Sequence, residues 1–454
     1  MATSKIKRSF GTTRIIVIGF LTIILIGTAL LMLPISSADA TPTGFLDALF
    51  TVVSSSCVTG LTVVDTATHW SAFGHTVILL LIQVGGLGFM TMAVLLSLLI
   101  KRAITPKERM LLAASYNLES YDSTMQIVKR VAIGTFAFEF VGALILATRF
   151  IPDFGLASGI YKSIFHSVSA FCNAGFDIVG VGNPKISGMS YYAGDPVINL
   201  TFGLLIIIGG VGFIVWSDLV NFTTKRKRIS VYSQFVLVIT LILIVIGTVA
   251  FAIFEWNNPQ TLGALDGTSQ KLIASFFQSS TWRTAGFATM HNGAFTQGSL
   301  LLGIILMFIG GASGSTAGGV KVGSVGVLVY TVWCNAIGKK RTIFRSRTIS
   351  TESFVRAVTV ICVQIAAVLV GVVILNANAG QDIMSILYEV VSAISTVGVT
   401  MGITTSLPAL SKITLCCLMF FGRVGILTVA LAVMRNQSGS EPNVKYPEAK
   451  MLIG

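Results

Sequence analysis

The sequence contains few charged residues. Only 11% of its 454 residues are Asp, Glu, Lys or Arg, whereas 54% are hydrophobic and the mean hydropathy is +0.85. A soluble domain of ordinary composition has about 25% charged residues. The composition therefore excludes a soluble globule and predicts an α-helical protein that crosses a membrane several times.

Histidine and paired cysteine are also scarce. The four histidines form neither an HExxH pattern nor a cluster, and the six cysteines lack the paired spacing of zinc ligands. We therefore expect the cysteines to be small packing residues. The first apolar run lacks the small-residue cleavage pattern of a signal peptide, so we expect it to remain as a helix.

Long apolar runs recur along the chain. Runs of about 20 residues, which suffice to span a bilayer, predict about eight spanning helices. They begin near Ile15, Thr76, Val131, Val197, Phe235, Leu300, Ala357 and Ile413.

The basic residues lie in alternate connections between these runs. Of the 31 Lys and Arg, 23 lie in five places: up to Arg14, in 101–130, in Lys225–Arg228, in Lys339–Arg356 and after Val433. The positive-inside rule makes these connections cytoplasmic, with both termini inside. In this setting the net charge of +13 predicts contact with anionic lipid and not with nucleic acid.

Four short glycine loops form an internal repeat. Their glycines are 115, 111 and 112 residues apart. Loops of the TVGYG type, four around one ion, build potassium-channel filters from backbone carbonyls. The residues of the predicted filter are Val58, Thr59, Gly60, Asn173, Ala174, Gly175, Thr284, Ala285, Gly286, Thr396, Val397 and Gly398.

Each loop stands between two recurring segments. A short amphipathic segment precedes it, and a second glycine signature follows the loop glycine by 25, 34, 24 and 24 residues. Each repeat crosses the membrane twice, so the four repeats are parallel and can surround one central pore with pseudo-fourfold symmetry. The predicted repeats are 1–115, 116–229, 230–348 and 349–436, followed by a tail at 437–454. The preceding segments are Phe45–Cys57, Tyr161–Cys172, Lys271–Arg283 and Met384–Ser395.

The second helix of repeat three departs most from the pattern. Five glycines, two serines and a threonine lie in the ten residues 310–319, and each glycine costs a helix about 1 kcal/mol. Irregular backbone at membrane depth is tolerated where it lines water or is buried in protein. The sequence therefore predicts a broken helix that acts as an intramembrane gate, with close packing as the alternative. The predicted gate residues are Gly310, Gly311, Ser313, Gly314, Ser315, Thr316, Gly318, Gly319, Lys321 and Arg423.

Other chemistries at the glycine signatures are excluded by the sequence. A phosphate loop needs Lys after its last glycine, but Val320 follows Gly319. A dinucleotide fingerprint needs a βαβ context, which is absent around Gly85. The GxSG pattern at Gly311 matches intramembrane serine proteases, but the last histidine, His291, precedes the serine. We predict that the protein is not an enzyme.

Several charged residues accompany these segments. Arg423 occupies the place of Gly86 and Gly210, and Glu389 is a candidate partner for it. At about 10 Å and an effective dielectric of about 20, Arg423 would repel a permeating cation by about 1.7 kcal/mol. The alternative is that the Arg–Glu pair only fixes packing.

Three acidic residues lie within or close to the apolar segments and are candidates for a functional role. Glu139 lies within the apolar run of repeat two, where an acid is functional by default unless it accepts hydrogen bonds from a neighbouring helix. Asp65 and Asp177 follow their loop glycines by five and two residues. We expect both to attract cations at the outer mouth.

With these four loops, the broken helix and the late arginine, the chain resembles the Trk/Ktr/HKT superfamily of potassium transporters. Within it, the chain most resembles the KtrB branch, the ion-translocating subunits of bacterial Ktr systems, because one helix precedes the Gly60 loop. The resemblance implies a potassium uptake protein of the bacterial cell membrane. It also implies a homodimer with a contact in the C-terminal tail, and a cytoplasmic KtrA-like ring that binds nucleotide. Sodium-coupled transport and a less selective pathway for potassium and sodium remain alternatives.

Overall fold

The computed structural model describes residues 12–88, 91, 92, 94, 124–183, 186, 188–226, 228–339 and 341–425. The tail at 437–454 and residues 101–123, which are most of the basic connection at 101–130, lie outside these residues, and so does any prediction made for them. Within the described part the chain is almost entirely helical, with one two-stranded hairpin in which β1 (Ile343–Phe344) pairs antiparallel with β2 (Arg347–Thr348).

The helices follow one another in groups of three main elements: a long helix, a short helix and a second apolar helix. In chain order they are α1 (Thr12–Leu31), α2 (Phe45–Ser56), α3 (Thr66–His69), α4 (Ala72–Leu87), α5 (Thr124–Phe154), α6 (Leu156–Phe171), α7 (Pro196–Val211), α8 (Phe213–Lys225), α9 (Val231–Glu255), α10 (Thr268–Thr281), α11 (Gln297–Phe308), α12 (Val322–Ala336), α13 (Thr351–Ala379), α14 (Ile383–Ile394) and α15 (Ala409–Val424). Short 3-10 turns occur at Pro34–Ser36, Met189–Tyr192, Leu262–Ala264, Asn292–Ala294 and Thr404–Ser406.

The first helix of each repeat is long enough to cross a membrane. Among the described residues, four single helices pass this test: α1, α5, α9 and α13. Much of their apolar surface faces outward, as in Leu25, Phe140, Ile253 and Val373, because lipid is their solvent on that side. These helices form an outer layer around the short helices.

The short helices α2, α6, α10 and α14 are the segments predicted to re-enter the membrane. Their C-terminal halves are buried almost without exception. Helix α6 begins at Leu156, five residues before the predicted start, while the other three begin within three residues of theirs. The predicted fold of four helix–loop–helix repeats is confirmed.

One glycine in each first helix lets that helix approach the short helix of the same repeat. An added Cβ at Gly27 would lie 2.9 Å from Val52, and one at Gly371 would lie 3.0 Å from Val390. The same holds for Gly142 against Ser167 and for Gly247 against Ser279. A larger residue would therefore push the outer layer away from the centre.

The second helices are interrupted at their glycine signatures, and not only in repeat three. Helix α4 ends before Gly88 (φ 84°), and α15 ends before Gly425 (φ 91°). At Gly212 (φ 99°) the chain turns by 95° from α7 into α8. The prediction of one helix from Thr76 to about Ile100 is therefore wrong at Gly88, because a left-handed φ cannot continue an α-helix.

The cysteines are all free thiols. Cys57, Cys172, Cys334 and Cys416 are buried, which confirms the packing prediction for these four. Cys362 and Cys417 are exposed on the apolar surface of α13 and α15, so the packing prediction is wrong for them.

Candidate functional site

Four glycine loops meet at the centre of the molecule with the same backbone conformation. We call their twelve residues, the predicted filter residues above, the glycine ring. The first residue of each loop has a positive φ: 58° at Val58, 60° at Asn173, 75° at Thr284 and 50° at Thr396. The loop glycines do as well: 99° at Gly60, 71° at Gly175, 81° at Gly286 and 97° at Gly398. Such values are outliers for bulky residues, and strain of this kind concentrates at functional sites.

The loops close into a ring in which each glycine faces the next loop. An added Cβ would meet the carbonyl oxygen of the middle residue of the following loop, at less than 3.0 Å in every case. The pairs run in cyclic order: Gly60 to Ala174, Gly175 to Ala285, Gly286 to Val397 and Gly398 to Thr59. Repeat four thus meets repeat one, and no side chain fits at the four glycines.

Hydroxyl groups of the short helices hold the loops in place. The Gly60 amide donates to Ser54 Oγ at 3.0 Å, and the Gly398 amide donates to Ser392 Oγ at 3.1 Å. In repeat two, Ser169 Oγ accepts from the Phe176 amide at 3.1 Å. In repeat three, Thr281 Oγ1 donates to the Phe287 carbonyl at 2.7 Å. Because these bonds are buried, they fix the loop backbone without exposing it to water.

The ring offers oxygen ligands in a negative electrostatic environment. The short helices end at the ring, so the negative ends of four helix dipoles point towards it. Backbone carbonyls are suited to replacing the hydration shell of an alkali cation. Among the described residues, no group of three or more His, Cys, Asp or Glu side chains could hold a metal ion.

The second glycine signature allows the second helix to reach the end of the short helix. An added Cβ at Gly85 would collide with the Ser56 carbonyl, and one at Gly209 with the Phe171 carbonyl. Gly422 meets the Ile394 carbonyl in the same way. In repeat three, Gly310 instead meets the Gly318 carbonyl of its own loop. Repeats one, two and four therefore share this contact with the end of the short helix. In repeat three the equivalent glycine, Gly310, contacts the loop that follows it instead.

Residues Gly310–Lys321, which we call the membrane loop, are an ordered excursion between α11 and α12. Its two ends are joined, because the Gly310 amide donates to the Val320 carbonyl at 2.9 Å. The Ala312 amide donates to the Gly210 carbonyl at 2.9 Å, and the Phe213 amide donates to the Gly314 carbonyl at 2.8 Å. The break between α7 and α8 thus provides the backbone partners that hold the membrane loop.

The membrane loop also touches the glycine ring. Gly318 packs against Thr396 so closely that an added Cβ would overlap the Thr396 hydroxyl. Thr316 Oγ1 donates to the Phe171 carbonyl, at the end of α6, at 3.2 Å. The loop therefore contacts repeats two and four next to the ring, and the predicted broken helix is present at this place.

Arg423 joins three repeats through backbone carbonyls. It extends from α15 and donates to the Thr316 carbonyl of the membrane loop, to the Gly85 carbonyl, and to the Gly86 carbonyl at 3.0 Å. Gly85 and Gly86 are at the C-terminal end of α4, where carbonyls have few partners within the helix; the Gly85 carbonyl accepts from the Gly88 amide as well as from the guanidinium.

The predicted pair between Arg423 and Glu389 is wrong. The Glu389 carboxylate instead accepts a hydrogen bond from Thr404 Oγ1, in the connection that follows its own ring loop. Glu389, on the short helix α14, faces the connection that contains Thr404. Arg423 lies near the C-terminal end of α15, where backbone carbonyls accept its hydrogen bonds.

Glu139 faces protein and accepts hydrogen bonds from a neighbouring helix. Gln83 Nε2, on α4, donates to Glu139 Oε1 at 3.1 Å, and the Cys172 thiol lies 3.9 Å from the same oxygen. The Glu139 carbonyl accepts from Ser167 Oγ at 2.6 Å. Of the two alternatives raised by the sequence, this geometry corresponds to the structural one.

The two aspartates predicted at the outer mouth have local partners. Asp65 caps α3, accepting from the Ala67 amide at 3.1 Å and from Thr68 Oγ1 at 2.9 Å. Asp177 lies 2.9 Å from His166 Nε2 and accepts from the Val179 amide at 2.7 Å. Both carboxylates thus order the segments that follow their ring loops, whatever their effect on ions.

The hydroxyl groups under the loops were missed by the sequence analysis, although a signal for them exists. A serine stands six residues before each loop glycine: Ser54, Ser169, Ser280 and Ser392. Three of the four bond their loops, while repeat three uses the neighbouring Thr281.

Comparison with known proteins agrees with this architecture. A crystal structure of the potassium transporter TrkH from Vibrio parahaemolyticus superposes with a TM-score of 0.71, at 19% identity, over 96% of this chain and 87% of that one. The sequence is 38% identical to the Ktr system potassium uptake protein B of Bacillus subtilis, over 98% of this chain and 97% of that protein. It is 36% identical to the potassium/sodium uptake protein NtpJ of Enterococcus hirae, over 99% of both chains.

The family model described as "TrkH: Cation transport protein" matches residues 4–441. The match spans all four loops of the glycine ring, the membrane loop and Arg423. The protein is therefore a membrane ion transporter and not an enzyme, and the chain belongs to the TrkH family of cation transport proteins.

Proposed function

We propose that this protein carries potassium into a bacterial cell through the glycine ring, which acts as its selectivity filter. The observation that carries the proposal is the cyclic contact of four glycine loops, each of which presents backbone carbonyls beside the next loop. The relatives from B. subtilis and E. hirae are named for potassium uptake and for potassium/sodium uptake, which supports the choice of ion.

The membrane loop and Arg423 would form the gate. The loop contacts the ring at Thr396 and repeat two at Phe171, and Arg423 links it to repeat one. A cation leaving the ring on this side meets both. On this orientation the loop side is cytoplasmic, as are both termini, and Asp65 and Asp177 lie on the outer side.

The partners and the boundaries belong to the same proposal. The relatives named as parts of Ktr systems support a second, regulatory component, which we take to be a nucleotide-binding cytoplasmic ring under a homodimer of this chain. We place the repeats at 1–115, 116–229, 230–348 and 349–436, with the tail at 437–454 in the dimer contact.

Growth of an uptake-deficient bacterium at limiting potassium tests the filter. The parent chain is expected to restore growth, and Gly286→Asp is expected to abolish it, because φ is 81° and a side chain would meet the Val397 carbonyl. Gly44→Asp is the matched control: it makes the same substitution at the residue before α2, where the nearest atom, on Asp47, is 4.0 Å away. Rescue by Gly286→Asp would refute the filter assignment.

Sodium is the main alternative cargo or coupling ion, since the relative from E. hirae is named for both ions. Potassium uptake into vesicles with an imposed sodium gradient distinguishes a sodium-coupled carrier from a passive potassium pathway. Potassium flux that follows the sodium gradient indicates a coupled carrier, whereas flux that follows only the potassium gradient and the voltage indicates a passive pathway. Sodium leakage through Gly60→Ser would place ion selection at the ring.

Shortening the membrane loop tests the gate. Deletion of Ser313–Ser315 removes the Phe213–Gly314 bond and is expected to raise potassium flux at equal membrane insertion. Unchanged flux would count against the gate.

A further inference from the structure

Thr396 is held between two glycines of two different repeats. Its hydroxyl lies against Gly318 of the membrane loop, where an added Cβ would overlap it, and its methyl group lies near Gly422, where an added Cβ would be 3.1 Å away. The side chain is 1% exposed. Because a β-branched side chain is stiff at χ1, a shift of the membrane loop cannot leave Thr396 unaffected.

The Thr396 hydroxyl has no hydrogen-bond partner in this arrangement. The same is true of its neighbour Ser395 Oγ, and both atoms are buried. A threonine hydroxyl can donate one hydrogen bond and accept two, and buried polar groups in proteins rarely stay unpaired. Thr396 also has a φ of 50°, which is unusual for a β-branched residue.

The position of this hydroxyl joins the two parts of the proposed pathway. Thr396 is the first residue of a ring loop, so its oxygen lies at the end of the ring that meets the membrane loop. At the equivalent positions of repeats one and two, Val58 and Asn173 carry no hydroxyl, and in repeat three the Thr284 hydroxyl lies 3.4 Å from the Asn173 amide group. Gly318, whose φ is not left-handed, is the loop residue that covers the hydroxyl.

We propose that the Thr396 hydroxyl makes the membrane loop responsive to a monovalent cation in the ring. With the loop in place, Gly318 covers the hydroxyl and leaves it without a ligand. With the loop withdrawn, the oxygen lone pairs face the pathway and bind a partly dehydrated cation. Since a ligand that binds one of two conformations better shifts the population towards it, cation at this oxygen favours the withdrawn loop. This inference rests on the proposed function.

The test measures exposure of the membrane loop as a function of potassium. A Ser315→Cys reporter is introduced into the full chain and reconstituted in liposomes, and its labelling rate with a charged maleimide is measured in potassium chloride and in N-methylglucamine chloride. The rate of the chain without the reporter is subtracted. Potassium is expected to raise the labelling rate severalfold.

Substitutions of Thr396 decide whether the hydroxyl is responsible. Thr396→Val keeps the shape of the side chain without the oxygen lone pairs and is expected to lose the potassium response, while Thr396→Ser is expected to keep it. A full potassium response in Thr396→Val would overturn the proposal. If that variant still transports potassium, the proposed function stands and only the coupling fails; a parent chain without potassium transport would refute the function itself.

A second variant covers the case in which Thr396→Val does not fold. Gly318→Ala places a methyl group on the Thr396 hydroxyl and is expected to give fast labelling of the reporter even without potassium. Gly323→Ala is the matched control, because the nearest atom to its Cβ, on Tyr232, is 3.9 Å away. Labelling of Gly318→Ala as slow as that of Gly323→Ala in the absence of potassium would contradict the coupling.

Discussion

Replacement of Arg423 by glutamine is expected to raise cation flux. The guanidinium donates to the carbonyls of Thr316, Gly85 and Gly86, and the bond to Thr316 is the one that depends on the position of the membrane loop. A hydrogen bond to a charged group contributes about 1.5–3 kcal/mol. Its loss therefore shifts the ratio of closed to open loop by about 10- to 150-fold, at ~1.4 kcal/mol per factor of ten.

The lost charge acts in the same direction. A positive charge about 10 Å from the ion costs it about 1.7 kcal/mol at an effective dielectric of ~20, so a neutral residue lowers this barrier too. Arg423→Lys separates the two effects, because lysine keeps the charge but is a point donor without the planar fork. We expect glutamine to raise flux more than lysine, and lysine more than the parent.

Rubidium uptake into proteoliposomes, at equal protein content, measures the flux of the parent and of the two variants. Unfolding temperatures show whether the fold tolerates the change, since the carbonyls of Gly85 and Gly86 lose a donor in both substitutions. Equal or lower flux for Arg423→Gln, in a protein that unfolds at the parent temperature, would refute a closing role for the arginine.

Three further results are expected. Gly398→Ala should abolish uptake without preventing membrane insertion, because φ is 97° and the Thr59 carbonyl occupies the space, whereas Gly380→Ala (φ 60°, nothing within 4 Å) should retain uptake. Ser392→Ala removes the acceptor of the Gly398 amide, costs about 1–3 kcal/mol, and should lower the preference for potassium over sodium in competitive uptake. Glu139→Leu leaves the Gln83 amide unpaired and should destabilise the protein by about 1–3 kcal/mol, with a lower unfolding temperature, while Glu139→Gln should retain stability.

The repeat could be predicted from the sequence because glycine is required wherever a carbonyl of another segment approaches closely. The four loop glycines, together with Gly85, Gly209 and Gly422, meet backbone carbonyls directly, so a side chain does not fit there and their spacing is visible in the chain. The first helices were predictable for a different reason, since their lipid-facing surfaces make long apolar runs.

The points at which the second helices break were harder to predict from the sequence than the repeat and the first helices. In repeat three, five glycines in ten residues break the helix, but the signatures that end at Gly88, Gly212 and Gly425 hold only two or three glycines each, and a glycine within a helix costs only about 1 kcal/mol. Whether such a glycine takes a left-handed φ depends on the contacts around it. At Gly212 those contacts come from the membrane loop, about 100 residues later in the chain.

The partner of Arg423 illustrates a second limit. The sequence predicts an acidic partner for Arg423 in the same repeat, namely Glu389. In the structure, three carbonyls from two other repeats accept the hydrogen bonds of the guanidinium instead. Backbone acceptors carry no signature in a sequence, because every residue has one.

The contacts of Gly310 and Arg423 show what a fourfold arrangement in a single chain permits. A symmetric assembly of four identical subunits must repeat every feature four times. Here all four repeats contribute to the ring. Repeat three lacks the contact between its second glycine signature and its short helix and has the membrane loop instead. Repeat four has Arg423 where repeats one and two have a glycine, and this arginine binds the membrane loop. The quarters are thus no longer interchangeable, and a chimera carrying repeat one in place of repeat three would keep the loop glycines and lose the membrane loop.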